Sequence, residues 1–212
     1  MLLVEKFVGV SLDYADKILQ QLKIVVLCSR FANQEQNTYF WNMRSHNGMR
    51  PQDIVILLKI ISLCAKDRPW QFRDLSASLS ISISEISESL RRSEQAGLIN
   101  GKRVARNSLM EFIQYGLKYV FPQKPGSIAT GMPTAHSHPF YKERIVSSNP
   151  YVWPSFDGSV RGESIEPLHK GVVSAAAQDE IFYMLLASVD IIRVGRVREI
   201  QIAIEEIKKY VL

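Results

Sequence analysis

Between Pro51 and Val120, apolar residues return at helical spacing four times, with a single Asn-Gly interruption. This ordering constrains the fold of the 212-residue chain more than any other feature. Ile54, Leu57, Leu58, Ile61, Cys64 and Ala65 follow the three-four rhythm of an amphipathic helix. Pro51 suits its first turn, where a missing N–H has no partner to lose, and Asp67-Arg68-Pro69 predicts its end. A shorter helix is expected from about Gln71 to Leu79, with Phe72, Leu75 and Leu79 inward. Ser80-Ile81-Ser82 reads as a turn. Ser82 and Glu85 have the spacing of a capping box, in which each side chain satisfies a free backbone N–H at a helix start. The third helix then runs to about Ala96 and closes at Gly97, with Ile86 and Leu90 inward and Ser93 as a polar residue at a core position.

Leu98-Ile-Asn-Gly-Lys-Arg-Val104 places Asn-Gly between short apolar ends, which predicts a tight hairpin with a type I′ turn. A fourth helix follows. Ser108 and Glu111 repeat the capping spacing, Leu109, Phe112, Ile113, Gly116, Leu117 and Val120 share a face, and Phe121-Pro122 stops the run. Three helices, a hairpin and a helix are the order of a winged helix-turn-helix.

The segment from Asp74 to Ile99 resembles the DNA-reading core of the MarR-like winged-helix regulators, at Leu75, Leu79, Ile81, Ser82, Ile86, Leu90, Ala96, Gly97 and Leu98. It departs from them at Ser80, where a turn glycine is usual, and at Ser93, where an apolar residue is usual. Tyr119-Val-Phe-Pro-Gln, Ile128 to His136 and Val160-Arg-Gly162 resemble a tail carried by bacterial proteins with a MarR-like domain. The resemblance implies that the third helix enters the major groove and reads base edges. With Ile86 and Leu90 inward, Ser84, Glu88, Arg91 and Gln95 point outward, flanked by Ser87 and Arg92. Arg91 and Arg92 suit guanine edges or phosphates. Ser82, Ser84 and Ser87 suit phosphates near the helix start. Lys102 and Arg103 belong to the wing, Arg106 adds to them, and Glu88 is expected to pair with Arg92.

The implied function is sequence-specific binding of double-stranded DNA by a transcriptional regulator, acting as a homodimer. The alternative is a winged-helix adaptor that docks a protein partner through Tyr151, Trp153 and Phe156. Glu85 and Glu88, on or beside the reading face, oppose phosphate and favour that alternative.

Charge supports the module rather than the whole chain. Of the net +5, residues 49–120 hold +4, residues 1–48 hold +1, and residues 121–212 balance to zero. Two cysteines, Cys28 and Cys64, make no disulfide framework or metal spacing, which favours a reduced cytoplasmic setting. No run of about 18 apolar residues exists, so no transmembrane helix is expected.

The flanks are less regular. Within residues 1–48, Ser11 to Phe31 has helical spacing, and polar stretches follow. Two readings stand: translation begins at Met49, or an N-terminal helix packs on the domain or on a second copy. Residues 122–171 hold seven of the nine prolines and five of the eleven glycines, with no period. An irregular strap is expected there, anchored by Phe140, Tyr141, Tyr151, Trp153 and Phe156, with no second compact core. His136-Ser-His138 has chelating spacing but no complete ligand set nearby. Gly126 to Gly131 and Asp157 to Gly162 read as chain-turning loops, since neither matches a phosphate-binding glycine pattern. No catalytic constellation emerges, and no cofactor or metal is called for. A helix is expected from about Ala176 to Ile192. After Gly195 comes another with Val197, Ile200, Ile204, Ile207 and Val211 on a seam that is either core or a dimer contact. Arg193, Arg196 and Arg198 form a basic cluster at that junction; it reads as a salt-bridged surface or as a contact for phosphate or an acidic partner.

The expected architecture is mainly α: an N-terminal extension (1–48), a winged helix-turn-helix with a small β-hairpin wing (49–121), and an irregular strap with two C-terminal helices on the same globule (122–212).

Overall fold

A computed structural model of the chain describes residues 48–147 and 149–212, so the readings of residues 1–47, Cys28 included, lie outside the described residues. The described residues are mainly helical, with 57% helix and 12% strand. Gly48 to Leu212 form one compact unit.

Helix α1 (Pro51–Ala65) lies at its centre. Asp53 to Ser62 are all buried, so the helix is covered on every side rather than amphipathic as its spacing predicts. Its start is capped by Asp53, whose carboxylate accepts the Arg50 backbone N–H at 2.8 Å. Helix α2 (Phe72–Leu79) buries Leu75 and Leu79, while Phe72 stays exposed and stacks on Trp70. Ser80 ends α2 in the left-handed conformation, φ 54°. Helix α3 (Ile83–Gln95) begins at Ser82, whose Oγ accepts the Glu85 N–H at 3.3 Å. The reciprocal half of the expected capping box is missing, because the Glu85 carboxylate accepts from Gln52 and Arg92 instead. At the other end Gly97 turns left-handed. The Leu98 N–H reaches the Ser93 carbonyl and the Gly97 N–H reaches the Glu94 carbonyl, closing the helix with a Schellman motif.

Strands β1 (Ile99–Asn100) and β2 (Arg103–Val104) pair Asn100 with Arg103, so the turn residues are Gly101 and Lys102. Gly101 has φ 57° and Lys102 has no positive φ, the pattern of a type II′ turn rather than the expected I′. Helix α4 (Arg106–Glu111) starts after Ala105, which puts Ser108 inside the helix and not at its cap. It continues through a π-helical turn (Phe112–Gly116) into α5 (Leu117–Val120).

The strap is not irregular throughout. Strand β3 (Ile128–Pro133) pairs antiparallel with β4 (Tyr151–Pro154) through its second half and with β5 (Val160–Ser164) through its first; β4 and β5 meet in a short parallel contact. The Gly126–Gly131 stretch is therefore mostly strand, and Asp157–Gly162 runs into β5. Glycine makes the tight approach possible: a Cβ on Gly131 would lie 1.9 Å from the Trp153 carbonyl oxygen, and one on Gly158 2.2 Å from Gly131 Cα. Between β3 and β4 lie a short 3-10 turn (Ala135–Ser137) and α6 (Pro139–Lys142).

The C-terminal part holds α7 (Val172–Ala177), α8 (Glu180–Val194) and α9 (Val197–Val211). The single helix expected from Ala176 is two, because Asp179 accepts the Phe182 N–H and starts α8 anew. Asp179 also ties α8 to α1, accepting from Lys59 (2.8 Å), Lys66 (2.6 Å) and Ser62. Burial pushes this carboxyl up, but the bonds from Lys59, Lys66 and Ser62 outweigh it and hold the group well below the usual carboxylate range. Ile204, Ile207 and Val211 are buried and Ile200 half-buried, with only Val197 exposed. The C-terminal seam is thus core of this unit, not a free dimer contact.

Candidate nucleic-acid interface

Helix α3 is fastened to α1 by an ion pair that the sequence assigns elsewhere. Arg92 donates to Asp53 through Nε at 2.9 Å and Nη2 at 2.7 Å, and to Glu85 at 2.8 Å. Arg92 is 5% exposed and Asp53 fully buried. The Asp53 bonds hold the guanidinium even more firmly protonated than usual. Arg92 therefore leaves the predicted reading face. Its position flanks the inward stripe of α3, and its long stem lets the charge reach the carboxylate beneath. A lone aspartate at the start of the apolar run of α1 was the available sign of a buried partner.

Arg91 stays exposed, and it takes the carboxylate expected for Arg92: its Nε and Nη2 donate to Glu88 at 3.1 and 2.8 Å. The bonds and charge of Arg91 lower the pKa of Glu88. Ser82, Ser84, Ser87 and Gln95 are exposed alongside. The hairpin sits against the end of the same helix, where the Gly101 N–H donates to Glu94 Oε1 at 3.3 Å. Lys102 and Arg103 are exposed there, and Lys102 Nζ lies 5.8 Å from the centre of the Trp70 ring. Arg106 does not join them. Its guanidinium donates to the carbonyls of Tyr210 and Val211, both at 3.1 Å, at the C-terminal end of α9.

The structure thus brings together Ser82, Ser84, Ser87, Glu88, Arg91 and Gln95 on α3 with Lys102 and Arg103 on the hairpin, and removes Arg92 and Arg106. It adds two exposed residues that the wheel overlooked, Glu94 and Ile83. No family model matches the chain, and neither a curated protein nor a solved structure matches it.

The weaker constellations resolve into local structure. The His136 ring hydrogen-bonds the Asn149 carbonyl at 2.9 Å and packs on Tyr151. His138 Nδ1 accepts the Phe140 N–H at 3.1 Å, and burial lowers this imidazole to about 4. No grouping of three or more metal-ligating side chains occurs among the described residues. Of the strap aromatics expected to dock a partner, Trp153 is 1% exposed and donates Nε1 to Asp190 at 2.6 Å, so it belongs to the core. Tyr151 is half-buried and Phe156 fully exposed. Arg193 leaves the basic cluster for a buried bond to Asp190 at 2.8 Å, while Arg196 and Arg198 stay exposed. No helix among the described residues is long and apolar enough to cross a membrane.

Proposed function

We propose that residues 51–120 form a winged helix-turn-helix that binds double-stranded DNA, with α3 as the reading helix and the hairpin as its wing, in a sequence-specific regulator of transcription. The observation that carries this reading is the fastening of α3. Its buried side is clamped through Arg92 and Asp53, its outer side presents Ser84, Ser87, Arg91 and Gln95, and the hairpin that carries Lys102 and Arg103 is tied to the same helix by the Gly101 N–H on Glu94. A rigid helix with an exposed polar face and flanking cations is what groove reading needs. Glu88 presets the Arg91 guanidinium and is displaced from it, or kept beside a cytosine amine, when DNA is bound.

Selection from random duplexes, followed by anisotropy titration at several salt concentrations, tests the proposal. A recovered consensus is expected, and Arg91→Ala should relax preference at one position. Replacing Lys102 and Arg103 with alanine should weaken all duplexes alike and reduce the salt slope by about one per lost phosphate contact. No enrichment, with binding unchanged in these variants, would overturn it. In a homodimer the half-sites lie about one helical turn apart; light scattering that reports a monomer on the selected duplex would remove that part.

One observation favours the second reading, an adaptor for a protein partner: Glu88 and Glu94 outnumber Arg91 on the exposed side of α3. Nuclease-resistant recovery of one protein, lost on Phe156→Ala, would support it.

A further inference from the structure

Three exposed arginines from two segments converge on one cavity beside the start of α9. Arg144, Arg196 and Arg198 line a space of about 280 Å³ together with Ile145, Ile202 and Glu199. A neighbouring compartment of about 140 Å³ shares Arg196 and Glu199 and adds His136 and Tyr151. Among the described residues, none of the three guanidinium groups has a carboxylate within ion-pair distance, unlike Arg50, Arg91, Arg92 and Arg193. Residues 121–212 carry no net charge, so this concentration is local and not a general excess of basic residues.

Two of the lining groups are already oriented. Arg144 lies with its guanidinium 3.7 Å from the centre of the Phe140 ring and donates to the Phe140 carbonyl at 2.8 Å. Glu199 is engaged in capping α9, accepting the Arg196 N–H at 2.9 Å. Its single negative charge against three guanidinium groups leaves the lining with an excess of two positive charges. A phosphate monoester carries about −1.5 to −2 at neutral pH, and guanidinium groups match its oxygens two at a time. A carboxylate would leave part of the charge unmet. Ile145 and Ile202 add an apolar wall that free phosphate cannot use.

We propose that this cavity binds a small organic phosphate monoester, the arginines holding the phosphate and the isoleucines its apolar body. The volume sits just below the usual range for small-ligand sites, about 300–1,000 Å³, which fits one ring and a phosphate.

The test is a titration of the full chain by amide NMR with phenyl phosphate, inorganic phosphate and phenol as probes. Phenyl phosphate should give saturable shifts at Arg196, Arg198 and Glu199. Its affinity should be about tenfold above that of inorganic phosphate, as expected for burying one apolar ring face, and phenol should give no shift there. R196A and R198A, both at exposed positions, should keep the thermal midpoint and each weaken phenyl phosphate about tenfold, the effect of one charge-assisted contact. Shifts that grow linearly without saturating, or affinity unchanged in R196A and R198A, would overturn the site. Duplex DNA that shifts the same amides and loses affinity in the same variants would also overturn it, by assigning the arginines to a nucleic-acid backbone.

Discussion

The helical module and the strap bury their polar groups in different company. In residues 51–120 the buried guanidinium, Arg92, is matched by Asp53 and Glu85, both within the module. In residues 122–171 the donors Thr134 and Trp153 both look to Asp190, on α8, at 2.8 and 2.6 Å. Tyr141 shares a hydrogen bond with Ser188, and Tyr183 donates to the Pro133 carbonyl, again between strap and α8. Arg193 completes the seam, donating to Asp190 and to the carbonyls of Phe121 and Glu166. Helix α3 is thus held by groups within the module, with Lys59 and Ser62 of α1 reaching out to Asp179, whereas the strap is satisfied only when a later helix is in place.

The largest expected effect follows from that difference. Asp190→Ala would strand a buried Arg193 and two buried donors at once, and breaking a buried pair from one side costs about 3–5 kcal/mol. Asp53→Ala should cost less, because Glu85 still accepts from Arg92. Urea denaturation of the two variants ranks them. Equal costs would erase the distinction between a helix held from within the module and a strap held from α8.

Acid should also act on the strap first. His138 is 5% exposed, and its ordinary value of 6.5 is lowered to about 4 by burial. Between those values the unfolded chain binds a proton that the native one refuses, so stability is full above about pH 6.5 and declines as pH falls toward 4. The loss is about 3 kcal/mol for this shift. Asp179 acts lower: its depressed value keeps its contribution present above the usual carboxylate range and loses it only as pH falls through the folded value. His138→Asn retains an acceptor for the Phe140 N–H and does not titrate. Stability measured at pH 7, 5.5 and 4.5 should flatten in this variant. An unchanged slope would place the acid sensitivity elsewhere.

The same contrast explains what was legible from residues alone. Helices α1 to α3 and the hairpin are recoverable because their signals are local: Pro51 at a first turn, Ser82 before Glu85, Gly97 after Gln95. The strands of the strap are hidden because Gly131, Pro133, Pro154 and Gly162 interrupt any alternation, and only their partners make them strands. On the candidate interface, exposure of Arg91 and Gln95 was readable from a helical wheel, and that of the hairpin cations from their place beside the Asn-Gly turn. The fates of Arg92 and Arg106 were not, since each is decided by a group far along the chain, Asp53 in one case and the end of α9 in the other.

Gly131→Ala sharpens this reading at a smaller scale. The new Cβ would fall 1.9 Å from the Trp153 carbonyl oxygen, so β3 and β4 must separate. Such overpacking costs about 2 kcal/mol. A thermal melt should show the loss together with weakened protection of the Trp153 indole N–H. A Gly97→Ala variant should pass through the same melt with a smaller loss, since open space surrounds its Cβ and only the left-handed φ of 71° resists it.

The smallest effect runs the other way. Ser80 ends α2 with φ 54° and an exposed side chain, in a conformation that places Cβ close to the following carbonyl. Glycine adopts this left-handed backbone at no steric cost. Ser80→Gly removes the steric cost but adds freedom to the unfolded chain. The net should be stabilising by no more than about 1 kcal/mol, read as a rise in urea midpoint at constant slope. A fall would mean that the serine makes a contribution to the turn that outweighs its strain. That turn would then hold a hidden dependence of its own, of the kind that Asp190 exposes in the strap.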